Sequence, residues 1–122
     1  MILADTSVWI DHFRSTNTEF QKLLNGAQIA IHPFIIMELA LGLLKDRARA
    51  LVMLDFLPHV RAAQLIEVRA MVETRALYGL GIGFVDAHLL ASVLINPSTL
   101  LWTRDKSLRR VAENLGIHAA LS

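Results

Sequence analysis

Four carboxylates interrupt stretches in which a carboxylate is expensive. Asp5 ends the apolar run Ile2-Leu3-Ala4, Glu38 lies inside FIIMELALGLL, Asp86 opens VDAHLLAS, and Asp105 follows Leu100-Leu101-Trp102 by two residues. On a helix, Glu38 has Phe34, Ile35, Leu41 and Gly42 at its i±3 and i±4 positions, an otherwise apolar face on which an unpaired carboxylate is costly to bury. Carboxylates that converge repel and raise one another's pKa unless a cation neutralises them. An all-oxygen set favours hard ions, Mg²⁺ or Mn²⁺, which bind through a few carboxylates, water and phosphate oxygens. The matching chemistry is metal-assisted phosphodiester hydrolysis.

Each acid also has an ordinary structural role open to it. Asp5 and Asp105 are placed to cap helices, and Asp86 sits in a first turn where the helix macrodipole favours a negative charge. Glu38 would be ordinary as an exposed acid at the edge of an apolar stripe.

The elements around them alternate. Ile2 to Ala4 reads as a short buried strand, followed by a helix from about Ser7 to Arg14 with Thr6 or Ser7 as N-cap. Thr16 or Asn17 caps a second helix carrying Phe20, Leu23 and Leu24, and Gly26 ends it. Gln28 to Ile31 is a second strand. Pro33 opens the helix containing Glu38, running to about Leu44, and Asp46 starts another that Pro58 stops. A short strand over His59 to Arg61, a long helix over Ala63 to Tyr78 and a turn at LGIGF follow. The next helix, Val85 to Ile95, stops before Asn96-Pro97. Leu100 to Trp102 is a strand, Lys106 to Leu115 a helix with Gly116 just past its end, and Ile117 to Ala119 an edge strand. This alternation implies parallel βαβ units, and so a three-layer α/β/α sandwich with a short, mostly parallel central sheet. In such sheets ligands collect outside the carboxyl ends of the strands, where Asp5, Asp86 and Asp105 fall.

Length and composition set the bounds. A chain of 122 residues fits a single domain over 1–122. Hydrophobic residues make up 54% and charged residues 19%, with a mean hydropathy of +0.46, an apolar excess that points to a partner surface. The longest apolar run, Ile35 to Leu44, is broken by Glu38, far short of the roughly 18 residues a transmembrane helix needs. The absence of cysteine fits a reducing cytoplasm, and no secretory signal is expected. Net charge is +1, but removing the four candidate ligands leaves seven acids against twelve Lys and Arg. Arg104, Lys106, Arg109 and Arg110 cluster around Asp105, and Arg14 closes the first helix, positions suited to contacting a phosphate backbone.

The blocks DTSVWID, the Glu-bearing FIIMELALGLL, VDAHLLAS and LWTRDKSLRRVAENLGI, taken in order, resemble PIN-domain ribonucleases, in particular the VapC-type toxins of prokaryotic toxin–antitoxin pairs. The resemblance covers essentially the whole chain. It implies a Mg²⁺- or Mn²⁺-dependent endoribonuclease whose metal-binding acids are Asp5, Glu38, Asp86 and Asp105. Thr103 matches a Ser/Thr beside the fourth acid, and Thr6 is a further polar neighbour. The family also implies a homodimer held inactive by a VapB-like antitoxin lying in a groove beside the active site. The helices from Pro33 to Leu44 and Asp46 to Leu57 are expected to supply part of that groove.

Two other readings compete. In an aspartyl-phosphate phosphatase Asp5 would be the nucleophile, but the usual second Asp two positions on is Ser7 here. A non-catalytic PIN-like interaction module would keep the acids only to hold the fold. His12, His32, His59, His88 and His118 lack metal-site spacing, and Trp9 and Trp102 read as core aromatics. Gly79, Gly81 and Gly83 lack the Lys-Ser/Thr of a phosphate loop.

Overall fold

Short and apolar on both faces, as a parallel core strand must be, Ile2-Leu3-Ala4 forms the central strand β1 (Ile2–Ala4) in a computed structural model that describes residues 1–121. Two further strands, β2 (Ile29–Ala30) and β3 (Leu100–Trp102), flank it in the order β2-β1-β3. Both pairings are parallel, with Leu3 opposite Ala30 on one side and Leu101 on the other. All three strands therefore end at one edge, and the strand order reverses at β1, the switch point where such sheets bind ligands. Between β1 and β2 the chain forms α1 (Thr6–Arg14) and α2 (Thr18–Asn25). Between β2 and β3 it forms α3 (Pro33–Ala40), α4 (Arg47–Asp55), α5 (Leu65–Thr74) and α6 (Phe84–Ile95), and α7 (Lys106–Asn114) follows β3.

An aromatic knot joins three of these elements. The rings of Trp9 and Phe20 meet edge-on at 4.7 Å, and Phe20 lies 5.7 Å from Trp102. All three side chains are buried, so the tryptophans are core residues, as their sequence setting suggests.

Several boundaries differ from the local sequence signals. The helix through Glu38 stops at Ala40, where the Arg47 guanidinium donates to the Ala40 carbonyl at 2.9 Å and satisfies the helix end. The long helix expected over Ala63 to Tyr78 is only Leu65–Thr74. Residues 61–63 are held off the helix by side chains some thirty residues away: Asn96 bonds both the N–H and the C=O of Arg61, and Ser92 Oγ accepts from Ala63 N–H at 3.0 Å. At its other end Ala76 turns left-handed (φ 51°), and Leu77 N–H returns to Val72 O. The strands expected at His59 to Arg61 and Ile117 to Ala119 shrink to single bridges, Ile31 with His59 and Leu101 with His118. Among the described residues no helix is long and apolar enough to cross a membrane.

His32 ties the sheet edge to α6. The Phe34 N–H donates to its Nδ1 at 3.0 Å, so the neutral ring carries its proton on Nε2 and donates to Ser92 Oγ at 3.1 Å. Burial, with the nearby His88 adding to it, lowers its pKa from 6.5 to about 4. The unfolded chain then binds a proton that the folded one refuses between these values. Stability from this ring is complete above pH 6.5 and is lost as the pH falls towards 4, by at most about 3 kcal/mol. His32→Asn keeps a capping acceptor but has no titrating ring. The difference in unfolding free energy between wild type and this variant should shift by up to that amount between pH 7 and pH 4, and a constant difference in denaturant titrations would contradict the assignment.

Candidate active site

Asp5 stays in the ladder as the chain leaves β1, its N–H donating to Trp102 O at 2.9 Å. The side chain is buried, and three donors hold it. Ser7 Oγ donates to Oδ1 at 2.5 Å, Val8 N–H reaches the same oxygen at 3.2 Å, and the Thr103 hydroxyl donates to Oδ2. Burial nevertheless pushes this carboxyl above its ordinary range; the three donors oppose the shift, and the charge on Asp86 adds to it.

The Val8 contact makes Asp5 itself the N-cap of α1, not Thr6 or Ser7. Asp5 is extended (φ −78°, ψ 176°), so the helix begins at Thr6 and frees both hydroxyls for carboxylates. Thr6 Oγ1 donates to Glu38 Oε1 at 2.6 Å, while Ser7 serves Asp5 and accepts from the Arg104 N–H at 3.0 Å.

Asp105 caps α7, its Oδ1 accepting from Leu108 N–H at 2.8 Å, and its own N–H donates to Thr103 Oγ1 at 3.0 Å. Asp86 is the third residue of α6 and accepts from Gly83 N–H at 3.2 Å. Burial raises its pKa; the Gly83 bond opposes this, and the charges of Asp105 and Glu38 reinforce it. The turn before α6 packs on α7 so tightly that a Cβ on Gly81 (φ +79°) would lie 3.3 Å from Ser107 Oγ. Glu38 is exposed, as are its neighbours Met37 and Leu41, so the burial cost expected from its apolar surroundings does not arise.

The four acids thus form one electrostatically linked set, Asp5 with Asp86, and Asp86 with Asp105 and Glu38. Three of them occupy helix N-termini, whose dipoles favour negative charge. The ion pairs Arg69 to Glu73 and Arg104 to Asp11 use none of the four. Among the described residues no group of three or more carboxylates or imidazoles is close enough to hold a metal ion. By its chemistry, an oxygen-only donor set is of the kind that a hard ion such as Mg²⁺ or Mn²⁺ takes through one or two carboxylates and several waters.

The basic candidates divide. Arg104 follows Thr103 and pairs with Asp11 at 3.3 Å, and Arg109 Nη2 donates to Thr103 O at 3.3 Å, both beside the acids. Lys106 and Arg110 are exposed on α7. Arg14 lies at the far end of α1, about 13 Å along the helix from Asp5, in a cavity with Ile10, Phe13, Leu43 and Lys45. Ser7 is the site residue that sequence reasoning missed: in DTS it reads as a cap, and only the approach of Arg104 and the Asp5 carboxylate reveals its role.

A parallel sheet whose central strand delivers a carboxylate to its switch point, with three more acids on the helices around it, is the architecture of a PIN domain. The PIN-domain family profile matches residues 2–114, and the chain belongs to this family. It is 42% identical to Ribonuclease VapC32 of Mycobacterium tuberculosis over 98% of this chain and 97% of that protein. It is 28% identical to Ribonuclease VapC11 of the same organism over 98% of each. The crystal structure of PAE2754 from Pyrobaculum aerophilum shares the fold, with a TM-score of 0.59 at 22% identity over 93% of this chain and 92% of that one.

Thr103→Val removes the hydroxyl that donates to buried Asp5 and accepts from Asp105 N–H. A hydrogen bond to a charged group contributes about 1.5–3 kcal/mol. Urea denaturation at pH 7 should show a loss of that size, largely restored in Thr103→Ser; equal stability of the Val variant and wild type would contradict the assignment.

Proposed function

We propose that this chain is the ribonuclease toxin of a VapBC-type pair, a Mg²⁺- or Mn²⁺-dependent endoribonuclease that hydrolyses RNA at Asp5, Glu38, Asp86 and Asp105. The observation that carries this reading is the gathering of four acids, on the end of a parallel strand and the helices around it, into one set in which burial raises Asp5 and Asp86 and their like-charged neighbours add to the shift. The 42% identity to a protein named as a VapC ribonuclease, over nearly the full length of both, supports the same activity. A bound divalent ion supplies charge neutralisation, water activation and a clamp on the phosphate. The chain's own residues do the positioning. Thr103 and Ser7 hold Asp5 by both oxygens, Thr6 orients Glu38, and the backbone of Gly83 and Leu108 orients Asp86 and Asp105. An aspartyl-phosphate mechanism is disfavoured because Ser7, which donates to Asp5, stands where that mechanism uses a second Asp.

The VapB-like antitoxin is assigned to the cleft between α1 and the start of α4. There Ile10, Phe13, Leu43, Leu44 and Ala50 line a cavity of about 310 Å³ with Arg14 and Lys45 at hand. Ile10, Phe13 and Leu43 are exposed apolar residues that a partner would cover. The reading extends to a homodimer acting in the cytoplasm.

Purified protein free of antitoxin should cleave single-stranded or structured RNA with Mg²⁺ or Mn²⁺ and not with EDTA. Asp5→Asn and Asp86→Asn should each lower the rate by about two orders of magnitude, the scale of removing one charge-stabilising group. Cleavage that survives both substitutions, or EDTA, would overturn the site. Adding a VapB-like antitoxin should slow amide exchange over residues 10–14 and 43–50; unchanged exchange there would overturn the groove.

A further inference from the structure

Two aromatic rings on the acid-bearing helices α3 and α6 stand outside the core clusters. Phe84, the first residue of α6, is 64% exposed, and Phe34, the second residue of α3, is half-buried. Their rings are stacked, with centroids 6.4 Å apart and planes 19° from parallel. Neither belongs to the hydrophobic clusters that hold the fold. Both pack against buried His88, whose ring centroid lies 4.4 Å from Phe84 and 4.8 Å from Phe34, and whose Nδ1 lies 2.9 Å from Phe84 O. His32 packs edge-on to Phe34 at 5.1 Å.

The placement repeats on two helices. Phe84 precedes Asp86 by two residues in the first turn of α6, and Phe34 lies one turn before Glu38 on α3. The electrostatic coupling of Asp86 to Glu38 shows that these two helices bring their acids together, and the stacked pair links the same two helices. A helical turn rises about 5.4 Å, so a nucleotide whose phosphate reaches the acids brings a neighbouring base within reach of the rings.

We propose that Phe84, backed by Phe34 and His88, is the platform on which one nucleobase of the RNA substrate stacks beside the scissile phosphate. The inference rests on the ribonuclease reading and adds to it a base-holding subsite. An exposed flat ring, parallel to a second ring behind it, suits a planar base, and stacking of this kind is tolerant of base identity. RNA is favoured over a protein partner because the rings share two helices with Glu38 and Asp86, the groups a phosphodiester must approach for hydrolysis on the proposed reading.

The test compares wild type with Phe84→Ala, Phe84→Leu and Phe84→Trp on short single-stranded RNAs carrying 2-aminopurine at successive positions. With wild type, one position next to the cleaved bond should show quenched fluorescence on binding. In the Ala and Leu variants that quenching should disappear and kcat/KM fall roughly ten- to hundredfold, the scale of one stacked base, mostly through KM, while Trp restores both. Leu keeps the apolar bulk and discards the ring, so wild-type kcat/KM and quenching in the Leu variant would overturn the platform. A Phe84→Ala protein that loses dimer mass in sedimentation, with KM unchanged, would make this surface a protein interface and overturn the proposal. A wild-type protein that cleaves no RNA overturns the ribonuclease reading itself, whereas active variants with wild-type KM overturn the platform alone.

Discussion

A carboxylate buried at the end of the central strand is the constraint around which the rest of the molecule is arranged. Asp5 cannot retreat into solvent, because its own N–H is part of the ladder with β3 and its side chain is enclosed by α1 and the Thr103 segment. It therefore needs donors, and they come from three directions: a hydroxyl from the first turn of its own helix, a backbone N–H from the same turn, and a hydroxyl from the residue just past β3. The last of these crosses 98 positions of sequence, so the site depends on the parallel pairing of β1 with β3.

Capping and ligation are not rival roles here. Asp5 and Asp105 each use Oδ1 to accept the N–H three residues on, as an N-cap does, while remaining members of the linked acidic set. The same helix N-termini that favour a single carboxylate collect several into one region, because α1, α6 and α7 all start near the carboxyl edge of the sheet or the turn that packs against it. Favourable dipoles and unfavourable mutual repulsion then coexist. The upward shifts of Asp5 and Asp86 record which prevails in the protein alone: burial and like charge outweigh the donors.

The chain's apolar excess is distributed in a way that composition could not disclose. One share closes the core through Trp9, Phe20 and Trp102. Another stands exposed along the turn after α3, at Leu41 and Leu43, at Val52 on α4 and at Phe56 just past its end. Phe84 and Phe34 belong to neither share. The PIN-domain membership of the chain accounts for the parallel sheet.

Local signals were sufficient for the three strands and for the α/β class, because each depends on apolar runs, caps and turns within a few residues. Asn17 and Gly26 bracket α2 as read, and Gly116, at φ +72°, follows α7. What the sequence by itself could not determine was every feature held by distant partners. The extended segment at 61–63 is fixed by Ser92 and Asn96, and the end of α3 by Arg47. The exposure of Glu38 and the donation of Ser7 and Thr103 to one carboxylate are likewise tertiary. Residue types and spacing decided which groups were available for chemistry, since those are properties of the chain. Their hydrogen bonds and mutual charges were decided only by the fold, since both depend on distances between segments that the sequence keeps apart.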